Sequence, residues 1–344
     1  MTAQTINTVP ILALSMGDPA GIGPDITLKA WKARDTAGLM PFVYLGDPDL
    51  LTQRSRALGM DVSIETVTDP ETVPDVFRHA LPVFPIDLPK AITAGVPDTS
   101  CAPAVIDAIR TGVEWVSQGR AAALVTNPIN KKLLTEAGFH HPGHTEYLAE
   151  LCAKCDNAPH PVMMLSCDDL RVVPVTVHIP LKDVPDALSE TLIIETITIT
   201  ARGLRELFKI KSPRIGVTGL NPHAGEEGML GREEIEIIAP ALAKLNADGY
   251  DVTGPLPADA AFQERDRGQY DAIIAMYHDQ ALIAIKTLAF DRTVNLTLGL
   301  PIVRTSPDHG TAYTLAGTGT ANPGSLIESL KLAAKLSSRE MAAM

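Results

Sequence analysis

The rhythm of short apolar runs, each closed by turn-forming residues and followed by a stretch with helical spacing, most constrains what this chain can become. Ile11–Met16 ends in Gly17-Asp18-Pro19-Ala20-Gly21-Ile22-Gly23-Pro24, and a helix is predicted to begin near Pro24, because proline suits the first helical turn. Phe42–Gly46 is a second buried-looking strand, with a helix expected over Asp49–Leu58. The proline-spaced stretch Leu81–Pro97 reads as irregular, Cys101–Gln118 as helical, and Ala121–Thr126 as a strand ending at Thr126-Asn127-Pro128. Alternation of this kind predicts an α/β architecture with a largely parallel sheet. A chain of 344 residues has room for one large domain or two ordinary ones.

Three later segments share one grammar. Arg171–Val177 is apolar and is followed by His178, Ile215–Leu220 by Asn221-Pro222-His223, and Ala272–Met276 by Tyr277-His278-Asp279. Each histidine therefore falls just past the carboxyl end of an expected strand, the edge along which open α/β sheets bind ligands. A lone histidine there is usually structural. Three of nine placed alike point to neutral imidazoles converging on a divalent cation, in a site assembled in space and not from one local motif.

Other residues carry more than one reading. Gly17 to Gly23 does not match a dinucleotide fingerprint and reads equally as a structural turn or a binding loop. His144-Thr145-Glu146 opens a helix, where free amides attract anions or where Thr145 caps. Lys286, Asn295 and Arg304 lie in a strand-rich segment; the two cations suit phosphate or carboxylate, or else sit on solvated faces. Cys152 and Cys155 form a C-x-x-C with no second pair, which reads as ordinary thiols and not as zinc or redox chemistry.

Net charge of −12 and a pI near 5.2 argue against nucleic acid as the main partner. No apolar run reaches membrane-spanning length, and the N-terminus lacks the basic and apolar regions of a secretory signal, so a soluble cytoplasmic protein is expected.

Six motifs occur in one order: Met16-Gly17-Asp18-Pro19-Ala20-Gly21-Ile22-Gly23-Pro24, Gly143-His144-Thr145-Glu146, Asn221-Pro222-His223-Ala224-Gly225-Glu226, Tyr277-His278-Asp279-Gln280, Asn295-Leu296-Thr297-Leu298-Gly299-Leu300-Pro301, and Arg304 through Ala312. Together they resemble the 4-hydroxythreonine-4-phosphate dehydrogenase family of vitamin B6 biosynthesis, from about Ile11 to Leu336. The resemblance implies an isocitrate/isopropylmalate dehydrogenase-like fold of two α/β/α domains with a cleft between them. Residues 1–127 with 305–344 would form a discontinuous cofactor-side domain, and 128–304 the metal, substrate and dimerisation domain. It also implies a homodimer with its active site at the interface.

By the same resemblance His178, His223 and His278 would bind one divalent metal (zinc, magnesium or cobalt), with one histidine from the neighbouring subunit. His144, Thr145, Lys286, Asn295 and Arg304 would contact the phosphorylated substrate. His309-Gly310-Thr311-Ala312 and the segment to Pro323 are similar to the adenosine-binding loop of isocitrate and isopropylmalate dehydrogenases, so His309, Gly310, Thr311 and Asn322 would hold NAD or NADP. Asp25 stands where many relatives carry glutamate, a change expected to be without consequence. The implied reaction is oxidation of 4-phosphooxy-L-threonine followed by decarboxylation. Rival readings are a paralogous dehydrogenase acting on a threonate phosphate or cyclic diol, and a phosphate acyltransferase of the same fold class.

Overall fold

A computed structural model describes residues 9–138, 144–153 and 159–341, without the side chains of 144–146 and 339–341. It divides into two compact units, Met1–Pro159 with Leu300–Ser338, and His160–Gly299 with Arg339–Met344. Residues 128–159 and 300–304, which the resemblance puts in the second domain, fall in the first unit, and 339–344, which it puts in the first, fall in the second.

The strands are β1 (Leu12–Ser15), β2 (Phe42–Gly46), β3 (Ile64–Thr66), β4 (Leu81–Pro85) and β5 (Ala123–Thr126), then β6 (Val162–Cys167), β7 (Leu170–Pro174), β8 (Arg214–Thr218), β9 (Asp251–Leu256), β10 (Ala272–Ala275) and β11 (Val294–Leu298), and finally β12 (Arg304–Pro307). In the first unit the order is β3-β4-β2-β1-β5-β12 and every pairing is parallel. β1, β2 and β5 are buried throughout, as expected of strands covered on both faces. Their registers place Ser15 opposite both Leu45 and Thr126, so three carboxyl ends finish level.

In the second unit the order is β11-β6-β7-β10-β8-β9. β7, β10, β8 and β9 run parallel, while β6 is antiparallel to both neighbours. The α/β prediction is met, and the antiparallel pair β6–β7 is a tight local hairpin about Asp168 and Asp169.

Four helices matter below: α1 (Gly23–Lys32), α2 (Pro48–Ala57), α3 (His278–Ala289) and α4 (Gly324–Met341). Proline sits in the first turn of both α1 and α2, and Asp47 caps α2 by accepting from the Leu50 amide at 2.9 Å.

One expectation fails. Leu81–Pro97 begins with a true strand, β4, lying between β3 and β2. Its prolines do little damage to the ladder: pairing with β2 starts only at Val83, after Pro82, and Pro85 is the last strand residue. Buried Leu81 and Val83 supply the favourable side of the balance.

Candidate active site

In the second unit the strands preceding the three histidines are neighbours, in the order β7-β10-β8, and parallel. His178, His278 and His223 thus follow adjacent carboxyl ends. The β7–β10 pairing continues past the strands, with Val175 N–H donating to Ala275 O at 2.8 Å and Thr176 N–H to Met276 O at 3.2 Å. This ladder carries His178 and His278 together, with ring centroids 5.8 Å apart and planes inclined by 48°. Both line a cavity of about 300 Å³ with Val177, Leu181, Tyr277 and Asp279.

Gln280 fastens this edge. Its Oε1 accepts from Met276 N–H at 2.7 Å and from the Thr218 hydroxyl at 2.8 Å, and its Nε2 donates to Gly219 O at 2.9 Å. One side chain on α3 therefore joins the ends of β10 and β8. His278 Nδ1 lies 2.7 Å from Asp279 Oδ1. With Nδ1–H donating to that carboxylate, Nε2 keeps its lone pair for a cation, an arrangement common among metal-binding imidazoles.

His178 and His278 therefore fit two positions of a divalent-cation site. Among the described residues no group of three His, Cys, Asp or Glu side chains converges within the chain, so His223 does not complete a set with them. His223 is exposed, on a turn with unusual backbone. His223, Ala224, Gly225, Glu226 and Glu227 all have positive φ (52°, 52°, 82°, 44° and 55°). Left-handed conformation costs a residue with a Cβ roughly 1–2 kcal/mol, so the four non-glycine residues make this an expensive turn.

Lys286 lies on α3, half-buried, with Nζ 5.8 Å from the centre of the Phe290 ring. Asn295 is on β11, and its buried Oδ1 has no hydrogen-bond donor among the described residues. An acceptor so placed is costly without a ligand or water to serve it.

In the first unit Arg304 opens β12 and is 3 % exposed. Its Nη2 donates to the Thr126 hydroxyl at 2.7 Å, at the carboxyl end of β5. Burial pushes its guanidinium down to about 10, so it remains a cation at neutral pH. The backbone of His144 and Thr145 opens a helix, His144–Leu151, while their side chains lie outside the described residues, as does Cys155. Cys152 is a buried thiol whose burial pushes it up to about 11, which suits an inert core residue.

The candidate cofactor segment is held by residues that the sequence gives no part in cofactor binding. Asp25 on α1 is fully buried; one oxygen pairs with Arg54 and the other accepts from Gly317 N–H at 2.8 Å. One turn later Lys29 Nζ donates to Gly319 O at 2.7 Å and Ala321 O at 2.6 Å. Residues four apart share a helix face, so α1 grips the loop with one acidic and one basic hand. Arg54 on α2, 4 % exposed, also donates to Gly21 O and Pro19 O, both at 3.1 Å. Asp25 is thus a structural hub.

Asp18 and Tyr313 close the same region. The Tyr313 hydroxyl donates to Asp18 Oδ2 at 2.5 Å and accepts from Asn130 Nδ2 at 2.8 Å, while Ala20 N–H donates to Asp18 Oδ1 at 2.9 Å. Burial raises the Asp18 carboxyl above its usual range despite these donors, and burial with the nearby carboxylate pushes Tyr313 up to about 12. The glycines at 17 to 23 let other backbone approach closely. A Cβ on Gly17 would meet Pro128 O at 2.6 Å, and one on Gly21 would meet Thr311 O at 2.8 Å. They permit chain-on-chain packing, and Ile22 N–H donates to Thr311 O at 2.9 Å.

Of the four residues expected at the cofactor, Gly310 faces open space and Thr311 is tied by its carbonyl to α1. His309 is half-buried with Nδ1 3.1 Å from Gly310 O. Asn322 Oδ1 accepts from Gly324 N–H at 2.9 Å, so its side chain serves the start of α4. The signal that could have found Asp25 and Lys29 was present: acidic and basic residues at i and i+4 on a helix otherwise buried.

Residues 38–333 match the family described as pyridoxal phosphate biosynthetic protein PdxA. The chain is 53 % identical to 4-hydroxythreonine-4-phosphate dehydrogenase of Bradyrhizobium diazoefficiens, covering 94 % of this chain and 96 % of the relative. A relative of the same description from Roseobacter denitrificans is 52 % identical, over 97 % and 99 %. The crystal structure of 4-hydroxythreonine-4-phosphate dehydrogenase from Klebsiella pneumoniae superposes with a TM-score of 0.83 at 36 % identity, covering 96 % of this chain and 100 % of that one.

Proposed function

Since the chain belongs to the pyridoxal phosphate biosynthetic protein PdxA family, we propose that it oxidises 4-hydroxy-L-threonine 4-phosphate with NAD or NADP and a divalent cation. The observation that carries this reading is the pairing of His178 and His278 at neighbouring carboxyl ends, in a chain about half identical to dehydrogenases of that name over nearly its full length. The C3 hydroxyl would become a ketone, the dinucleotide taking the hydride and solvent the proton. The resulting 2-amino-3-oxo acid phosphate then loses carbon dioxide, because the ketone accepts the electron pair, and leaves 3-amino-2-oxopropyl phosphate.

The residues divide this work. His178 and His278, with His223, would hold the cation, and Asp279 keeps the His278 ring turned so that Nε2 is available. A cation bound there lowers the pKa of a coordinated hydroxyl and stabilises developing negative charge. Arg304 and Lys286, with His144, Thr145 and Asn295, would anchor the phosphorylated substrate. Arg304 suits the role because its buried guanidinium stays charged at neutral pH, as a phosphate ligand must. His309, Gly310, Thr311 and Asn322 would line the dinucleotide seat, with Gly310 its open side.

A homodimer belongs to this reading. Two histidines per chain leave a three-imidazole site short of a ligand, which the partner subunit would supply. Exposed apolar side chains concentrate in the second unit, among them Leu181 (67 %), Met229 (82 %), Ile283 (66 %) and Phe290 (68 %), and association of two chains would cover such side chains.

The direct test is production of reduced dinucleotide from 4-phosphooxy-L-threonine and from its threonate analogue, with and without chelator. Chelator-sensitive turnover of the threonine substrate is expected. Preference for the threonate compound would move the chain to a paralogous activity, and turnover indifferent to chelator would remove the cation.

A further inference from the structure

Five successive left-handed residues do not hold themselves, and the structure shows what holds them. Glu234, 3 % exposed, opens a π-helical turn, Glu234–Ile238. Its Oε1 accepts from Asn221 N–H at 2.8 Å, and its Oε2 from Asn221 Nδ2 at 3.0 Å. Glu233 Oε2 takes the same Nδ2 at 2.7 Å. The carboxylate of Glu234 is therefore clamped to the residue from which the His223 turn departs.

Glycines leave the space it occupies. A Cβ on Gly219 would lie 2.8 Å from Glu234 Oε1, and one on Gly225 would lie 2.5 Å from Oε2. A Cβ on Gly231 would lie 2.1 Å from Asn221 Nδ2. Gly225 sits in the middle of the left-handed run, so the turn is wound directly against the buried carboxylate. Gly219 is also the residue whose carbonyl accepts from Gln280, which ties this cradle to the start of the helix carrying His278.

We propose that Glu234 is the positioning residue of the His223 turn: its carboxylate, gripping Asn221 between Gly219 and Gly225, holds the left-handed run and so fixes where His223 presents its imidazole to a cation. The inference rests on His223 being a cation ligand. Glu234 itself stays buried and does not ligate. Glutamine at 234 keeps the volume but turns an NH2 group toward the Asn221 amide, donor against donor, while that amide is already committed to Glu233.

The test uses the full chain, stripped of metal by chelator and titrated with cobalt(II), followed by the visible absorbance of the bound ion. Far-ultraviolet circular dichroism and the melting temperature of the metal-free protein are recorded separately. Glu234→Gln is expected to weaken cobalt binding about tenfold or more and to change the visible spectrum while the metal-free protein keeps its fold. His223→Ala is the reference for the underlying reading. If cobalt affinity is unchanged in His223→Ala, that histidine is no ligand and the reading beneath the proposal fails. If His223→Ala loses cobalt but Glu234→Gln binds with wild-type affinity and spectrum, the positioning role is overturned. Should Glu234→Gln not fold, Asn221→Ala removes only the side-chain half of the grip, and wild-type cobalt affinity in it overturns the proposal equally.

Discussion

In the first unit, hydrogen bonds join residues nearly the whole chain apart: Asp18 to Tyr313, Asp25 to Gly317 and Lys29 to Ala321, with sequence separations of 295, 292 and 292. In the second unit the His223 turn is held by Glu234, only 13 residues from the Asn221 it grips. The first region is closed by buried charge, and its contacts cannot form until the two ends of the chain have met. The second is a local device, exposed at its tip and strained along its backbone. Remote buried anchors cost loop-closure entropy once and then stay rigid, which would suit the proposed dinucleotide seat. In the proposed reading His223 would serve a cation shared with the partner subunit, and a strained turn over a buried carboxylate suits a side chain that must stand clear of its own subunit.

The contrast breaks most visibly at Arg54. Replacing it by methionine strands the fully buried Asp25 carboxylate, and a loss of roughly 3–5 kcal/mol is expected, read from the urea midpoint. A loss below about 1 kcal/mol would mean that this pair behaves like a surface ion pair, and the buried-anchor account would be wrong.

Arg304→Met tests the buried cation proposed to hold the substrate phosphate. Removing a charge-assisted hydrogen bond costs about 1.5–3 kcal/mol, so KM for the phosphorylated substrate should rise roughly 10- to 150-fold. Cobalt affinity should not move, since Arg304 stands on β12 in the other unit from the histidines. Equal damage to both would erase the division of labour between the two regions.

The smallest effect concerns Asp18. Burial raises its carboxyl in the folded chain above 3.8, so between 3.8 and that raised value the folded state holds more protons than the unfolded state. Its contribution is therefore present in acid and is lost as pH rises through the folded pKa. Asp18→Asn never ionises, so its stability relative to wild type should improve as pH climbs from about 3.8 toward neutral, followed by thermal melts. A difference that stays flat or runs the other way contradicts a desolvated carboxylate at this position.

Much of the candidate site could be read along the chain. Three histidines after three apolar runs were visible as a pattern, and the strands bearing them are adjacent and parallel. Arg304 and the Gly310 loop were visible too, as a cation among apolar residues and as a glycine-rich turn. The holders of these groups were not. Glu234 sits in Arg232-Glu233-Glu234-Ile235-Glu236, which resembles a solvated helix face, yet Glu234 is buried by a cradle of glycines that begins fifteen positions earlier. Gln280 closed one of the motifs without an assigned role, although it joins the ends of two strands. The prolines of β4 suggested a break because the rule against proline assumes a ladder bond at that residue, and pairing with β2 begins only after Pro82.

The sequence by itself determined the α/β alternation, helices beginning near Pro24 and Asp49, and the placement of each histidine past a strand, because apolar period and proline geometry act within a few residues. Only the tertiary structure decided that β10 lies between β7 and β8, that Asp25 and Lys29 on one helix face grip residues 317–321, and that Glu234 underlies the His223 turn. Those outcomes follow from competition among many packings for the same apolar surface and the same buried charges. No local pattern records which partner wins.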